Sequence, residues 1–340
     1  MANFKDSFDS PKAISLPIQL YCFSPDMLRV AALAYRVVSF ALLAEISLFF
    51  IRPLAKINIQ SKIKDMKYEK IANYSGSKFR RITGVKRSTF EKMVEILKKE
   101  YASKHQRRGR HQKLSIEDLL LATLEYLREY RTYAHIAASY DIAESNIYRG
   151  IRWVEDTFIK DGTFSLPGRK ALLKSDVEYA VILVDATETP IERPPKKQRK
   201  YYSGKKKRHT LKTQMLINPE NEEIISLAFE KGKVHDFQLF KSSKIHLKPG
   251  AQLTADSGYQ GLTKLHTNSV LPKKSSKNRP LSTQDRKQNR NISKKRIAVE
   301  HVISLVKRFR ILSERYRNRR KRFSLRFSLI AGICNFELLS

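Results

Sequence analysis

The chain reads as an α+β to α/β protein, with an all-helical first part and a mixed five-stranded sheet after it. Three observations carry that reading. From Met66 to about Lys170, apolar residues recur at helical spacing. Beyond Val177, short apolar runs alternate with turn signals, as strands do. Two of these runs end on aspartates, Asp185 and Asp256, and a late helical stretch carries Glu300, in a chain with 67 Lys and Arg against 33 Asp and Glu.

With 340 residues, 41% of them hydrophobic, the chain can bury one large domain and a small one. A formal charge of +34 makes it repel itself unless a polyanion neutralises it. Nucleic acid is the partner expected, because each neutralised phosphate releases counterions. Cys22 and Cys334 offer neither a disulfide framework nor a Cys-rich zinc site, and suit a reducing, cytoplasmic, nucleoid-associated setting. No H-E-x-x-H and no Gly-rich phosphate loop is present, so no nucleotide cofactor is expected.

Residues 1–65 read as an N-terminal extension whose role stays open. Residues 27–51 are the most apolar stretch, but Arg29, Arg36 and Glu45 interrupt it. A charge at mid-bilayer costs ~2.5–3.5 kcal/mol on insertion scales, so a packed helix is favoured over a membrane span. M-K-Y-E-K-I at Met66 opens an ordinary soluble sequence and offers an alternative translation start.

Residues 66–170 form the helical domain. Ser88 and Glu91 resemble a capping box for a helix to Lys99, with Phe90, Met93, Val94 and Leu97 as its apolar stripe. The basic run 104–113 lacks apolar periodicity and reads as a linker. Ser115 caps the next helix, I-E-D-L-L-L-A-T-L-E-Y-L-R-E-Y. A short helix, T-Y-A-H-I-A-A-S-Y, then a turn, D-I-A-E-S, and a further helix complete a helix-turn-helix plan. Ala137 and Ala138 permit close packing, Ile142 plugs the turn, and Ser145 caps the last helix. Ile147, Ile151 and Val154 fall on its buried face. Asn146, Tyr148, Arg149 and Arg152 are left for a DNA groove.

Residues 175–340 form the second domain. Val177 to Asp185 is a buried strand. From Arg193 to Lys212 a loop carries ten basic residues and no acidic one, including Lys205, Lys206, Lys207, Arg208 and His209. It enters a second strand, H-T-L-K-T-Q-M-L-I-N; N-P-E-N turns the chain, and E-I-I-S-L-A-F-E returns as the third. V-H-D-F-Q-L-F reads as a helix capped by Asp236. Gln252 to Asp256 is a fourth strand, S-V-L-P near Val270 a fifth, and a helix spans about Ser293 to Phe309. That order suits the ribonuclease H-like fold, in which the first and fourth strands are neighbours. Asp185 and Asp256 would then share one site. Glu300, Ile303 and Lys307 share a helix face, with Arg296 one turn before Glu300. From Arg286 to Arg326, sixteen Lys or Arg face Glu300 and Glu314 and suit contacts with a nucleic-acid backbone.

V-D-A-T-E-T-P-I, the basic loop R-P-P-K-K-Q-R-K-Y-Y-S-G-K-K-K-R-H-T, and A-D-S-G-Y-Q-G stand in that order. Arg296, Glu300 and Lys307 follow at the spacing of a third motif, with Ser293 where a tyrosine is usual. From about Met66 to Phe336 the chain resembles DDE transposases of bacterial insertion sequences, in the group related to Harbinger-type elements. The resemblance implies Asp185, Asp256 and Glu300 as catalytic metal ligands, and two Mg2+ ions, for which Mn2+ substitutes. It implies cleavage and strand transfer at terminal inverted repeats and target DNA, by a homodimer, with Arg296 and Lys307 on the DNA. A transposase-derived DNA-binding protein, or an endonuclease without strand transfer, are the alternatives.

Overall fold

A computed structural model describes residues 67–104, 112–174, 179–276 and 280–339. The extension 1–65, its apolar stretch 27–51, the Met66 start, and most of the basic run 104–113 lie outside the described residues. Among those described, no helix is long and apolar enough to cross a membrane.

The helical part runs α1 (Tyr68–Ile71), α2 (Gly76–Thr83), α3 (Arg87–Lys104), α4 (Ile116–Arg128), α5 (Tyr133–Ser139) and α6 (Glu144–Asp161). Ser115 caps α4 as expected, accepting from the Asp118 N–H. Thr132 caps α5 in the same way. The α5–α6 turn closes as a Schellman motif, with the Ile142 N–H on the Ala137 carbonyl at 3.1 Å and Asp141 at φ 50°. A short polar side chain tolerates that left-handed conformation best. Ile147, Ile151 and Val154 are fully buried, while Ala138 faces outward rather than packing.

Two caps differ from expectation. Ser145 lies inside the first turn of α6, because the helix begins at Glu144 behind Ala143. Ser88 likewise sits within α3, and the Lys86 N–H at its start goes to the Glu337 carboxylate. A tertiary partner from the far end of the chain supplies the acceptor that a local box would have provided.

Among the described residues the sheet has six strands: β1 (Val181–Pro190), β2 (Tyr202–Ser203), β3 (Arg208–Ile217), β4 (Ile224–Lys231), β5 (Gln252–Ala255) and β6 (Ser269–Val270). The five expected strands are joined by β2, a two-residue pairing that turns the basic loop into a hairpin on β3. Strand β3 lies between β1 and β4, antiparallel to both, whereas β5 and β6 run parallel to β1 on its other side. A helical turn, α7 (Gln198–Tyr201), precedes β2, and α8 (Asp236–Ser242) links β4 to β5.

Then come α9 (Thr283–Lys307), α10 (Arg310–Ser313) and α11 (Phe323–Leu339). Helix α9 starts ten residues before the expected Ser293, at a capping box formed by Ser282 and Asp285. Helix α11 had no sequence expectation. Phe327, Ile330, Ile333 and Cys334 are buried in a core that also takes in Phe90, Leu97 and Ile151 of the helical part and Leu183 and Met215 of the sheet. Each such aliphatic or aromatic side chain contributes about 1.5–3 kcal/mol by leaving water. Asn335 bonds both backbone groups of Ile224, at 2.9 and 2.8 Å, and so docks α11 on β4. The opposite sheet face packs Val184, Leu216, Leu253 and Ala255 against Phe240, Tyr259 and Leu262.

Candidate active site

Strands β1 and β5 are in register with Val184 opposite Ala255. Asp185, next on β1, and Asp256, the first residue past β5, both reach the sheet face covered by α9, where Arg296 meets them. Asp185 Oδ1 accepts the Ala186 N–H at 2.7 Å, and Asp256 Oδ1 accepts the Ser257 N–H at 2.6 Å, so short local bonds fix both carboxylates. Arg296, reaching across from α9, joins them. Its Nη2 donates to Asp185 Oδ2 at 2.8 Å, and its Nη1 lies 3.5 Å from Asp256 Oδ1.

Burial raises the Asp185 carboxyl above its ordinary value, and the negative charge of Asp256 adds to that; the Arg296 guanidinium and the Ala186 N–H pull the other way. Beneath the pair, Tyr259 is fully buried, its phenol held well above the usual range by burial and by the nearby charges of Asp236 and Asp185.

Glu300 does not join them. It lies on the exposed flank of α9, about 40° around the helix from Arg296 at about 100° per residue. Among the described residues, no three His, Cys, Asp or Glu side chains gather closely enough to hold a metal. The expected three-carboxylate convergence is thus a carboxylate pair closed by a guanidinium. The helix register explains it, since the long Arg296 side chain neutralises two adjacent acids that would otherwise repel. The pair itself, two oxygen donors without sulfur or imidazole, fits one hard divalent cation that keeps water and phosphate ligands.

Glu188, the nearest rival ligand in the sequence but expected past the strand end, and Asp236, expected as a helix cap, meet on Lys212 instead. Strand β1 continues to Pro190, so Glu188 is inside it, opposite Lys212. The Lys212 ammonium is almost fully buried, bonded to Asp236 Oδ1 at 2.7 Å and the Val234 carbonyl at 2.7 Å, and it lies 3.8 Å from Glu188. Asp236 is the first residue of α8 rather than its cap, and serves this ion pair instead. A Cβ on Gly258 would come within 2.9 Å of Asp236 Oδ2, so glycine lets the loop after Asp256 sit against this network. The G in A-D-S-G-Y was the one visible signal of that approach.

The other basic candidates lie on the β2–β3 hairpin, at the end of α9 and on α6. Lys205, Lys206, Lys207 and Arg208 are exposed on the β2–β3 hairpin, and His209 meets the Tyr202 ring edge-on at 5.6 Å. Lys307 is half-buried near the end of α9; burial, then the charge of Lys206, hold its ammonium below the usual lysine range. On α6, Asn146, Tyr148 and Arg149 are exposed, and Arg152 is half-buried, its guanidinium 3.0 Å from the Tyr148 hydroxyl. Arg149 bonds Asn146 Oδ1 at 3.0 Å, so the two groove candidates on that turn are already paired with each other.

Known proteins match both parts. Residues 184–335 match the family described as DDE superfamily endonuclease, and residues 112–164 match the helix-turn-helix of DDE superfamily endonuclease. A probable transposase for insertion sequence element IS702 of Microchaete diplosiphon is 45% identical over 273 residues, covering 80% of this chain and 99% of that protein. The cryo-EM structure of a piggyBac transposase synaptic complex with hairpin DNA aligns over 76% of this chain and 72% of that one. With a TM-score of 0.37 and 11% identity, that alignment is too loose to carry structural inference. A relative this similar along almost its whole length decides the matter: the chain belongs to the DDE transposases of insertion sequences.

Proposed function

We propose that the protein binds the terminal inverted repeats of its mobile element through α4–α6, then cuts and rejoins DNA strands at Asp185 and Asp256. The observation that carries this reading is the β1–β5 pairing, which presents both aspartates side by side on one sheet face. The strand order supports a ribonuclease H-like fold for residues 175–340, with residues 66–170 as the DNA-reading part. The cation is Mg2+, with Mn2+ as substitute; the aspartate pair would hold one ion, and Glu300, which stands apart from the pair in this structure, would have to approach it to serve as third ligand and complete a site for two.

Divalent cations held by these carboxylates would activate an oxygen nucleophile and stabilise the leaving oxygen of an in-line displacement. The protein supplies placement. Strand backbone and the Ala186 N–H hold Asp185, and the Ser257 N–H orients Asp256. The hairpin residues Lys205–His209, together with Arg296 and Lys307, grip the phosphates of the repeat and then of the target DNA. Two element ends must meet, so the working form is a homodimer, associated with the nucleoid.

A DNA-binding protein without catalysis, and an endonuclease without joining, remain the competing readings. Both retained aspartates, and a 45% identical transposase relative, favour the enzyme. Supercoiled plasmid carrying the element ends, incubated with Mg2+, separates them: joined products support transposition, nicks alone an endonuclease, and mobility shift alone a binder. Asp185→Ala should remove all cleavage while DNA binding persists.

A further inference from the structure

We propose that Arg296 is the resident counter-ion of the Asp185–Asp256 pair, and that a divalent cation enters by displacing it. One guanidinium then sets the metal affinity of the site and, once released, becomes available to a DNA phosphate. This rests on the reading above that the pair is the metal site.

The oxygens decide it. Asp185 Oδ1 and Asp256 Oδ1 each accept a backbone N–H. Asp185 Oδ2 accepts from Arg296 at 2.8 Å, and Nη1 of the same group stands 3.5 Å from Asp256 Oδ1. A cation held by Asp185 would need the Oδ2 edge that the guanidinium covers, and a positive ion beside a guanidinium at that range is repelled. The two cannot share the site.

The guanidinium is also incompletely satisfied. Its Nε is buried with no hydrogen-bond partner. A buried donor left unpaired weakens the hold of the whole group, so the latch can be opened. Arg326 shows the contrast, since its Nε donates to Glu155 at 2.6 Å and its Nη1 to the Tyr316 hydroxyl at 3.0 Å.

Two consequences follow. Without metal, Arg296 offsets the repulsion between the acids and keeps the site assembled. With metal, it leaves the aspartates and its charge is free for a DNA phosphate. Metal and DNA should then bind with positive coupling, each favouring the state in which Arg296 has left the aspartates.

The test is titration of Mn2+ into full-length protein without DNA, followed by calorimetry and by the Mn2+ paramagnetic signal. Wild type is compared with Arg296→Gln, Arg296→Lys and Asp185→Asn. Removing a competing unit charge at this range should tighten Mn2+ binding at least about tenfold in Arg296→Gln. Arg296→Lys should fall between it and wild type. Thermal unfolding with and without Mn2+ checks folding, and the metal should raise Tm more in Arg296→Gln than in wild type. If Arg296→Gln proves unfolded, tighter binding in Arg296→Lys carries the proposal and unchanged binding overturns it. Equal or weaker binding in a folded Arg296→Gln, with Asp185→Asn losing the ion, overturns the displacement alone. Unchanged binding in Asp185→Asn overturns the metal-site reading, and this proposal with it.

Discussion

Two carboxylate–guanidinium clusters hold distant parts of this chain together, and they are built to opposite ends. In one, Glu155 on α6 is fully buried, and its two oxygens take Arg326 at 2.6 Å and Arg322 at 2.8 Å. Arg326 also bonds Tyr316 and lies 5.1 Å from the Tyr126 ring centroid. In the other, Arg296 spans Asp185 and Asp256 with one nitrogen unsatisfied, and Asp256 is half open to solvent. The first cluster balances two acids against two bases, because Asp156 also takes Arg322 at 2.6 Å, and its central Glu155–Arg326 pair is closed off from solvent. The second has two acids and one base, a net negative charge in a strongly basic protein, and an open side. The same pair of functional groups is a weld in one place and a socket in the other; stoichiometry and access make the difference.

Removing the weld should have the largest effect. Glu155→Ala strands the Arg326 guanidinium in the core and leaves Arg322 with Asp156 alone, and losing one partner of a buried pair costs about 3–5 kcal/mol. Urea unfolding followed by tryptophan fluorescence, with Trp153 two residues away on α6, reads it directly. A loss below about 1 kcal/mol would mean that the cluster is not structural.

At the socket the sign should reverse. The folded-state pKa of Asp185 is raised, so any stability linked to its proton is fully present below the unfolded pKa and lost as pH rises through the folded one. Asp185→Asn at neutral pH removes a buried charge that folding disfavours. It should leave stability within about 1 kcal/mol of wild type or improve it, while cleavage disappears. The difference from wild type should shrink as pH falls through the folded pKa. A clear loss of stability would make Asp185 part of the scaffold rather than a reactive group.

Asp285, exposed at the start of α9, gives the smallest effect. Its bond to Lys273, then its bonds with Ser282, lower its pKa to about 2. Its contribution is present above the unfolded pKa and lost as pH falls through about 2. Asp285→Asn should lower Tm slightly at pH 7, and the two proteins should converge in strong acid. A large effect at neutral pH would show that surface pairs here matter more than their exposure allows.

What could be read beforehand followed from local pattern. Apolar runs closing on Asp185 and Asp256 identified β1 and β5, and the side-by-side aspartates came with them. The turn after α5 was legible because Ile142 must plug it and Asp141 tolerates positive φ. The start of α9 was missed although Ser282 and Asp285 spell a capping box, because the basic stretch around them masked it. Helix α11 is apolar on all sides, so no 3.6-residue stripe distinguishes it from a strand run. The guanidinium in the socket was beyond any such pattern. Whether Arg296 or Glu300 reaches the aspartates depends on how α9 is rotated against β1, a tertiary fact no spacing encodes.

The Glu337 carboxylate that closes the start of α3 has a consequence for synthesis. The Lys86 N–H and the Arg80 guanidinium both find their acceptor there, and Phe327, Ile330 and Ile333 complete the core around Phe90 and Leu97. A nascent chain holding all of α1 to α6 still lacks the wall against which those helices close. The helix-turn-helix half therefore lacks part of its core until residue 337 has left the ribosome, and a prematurely terminated product should be less stable than the full-length protein.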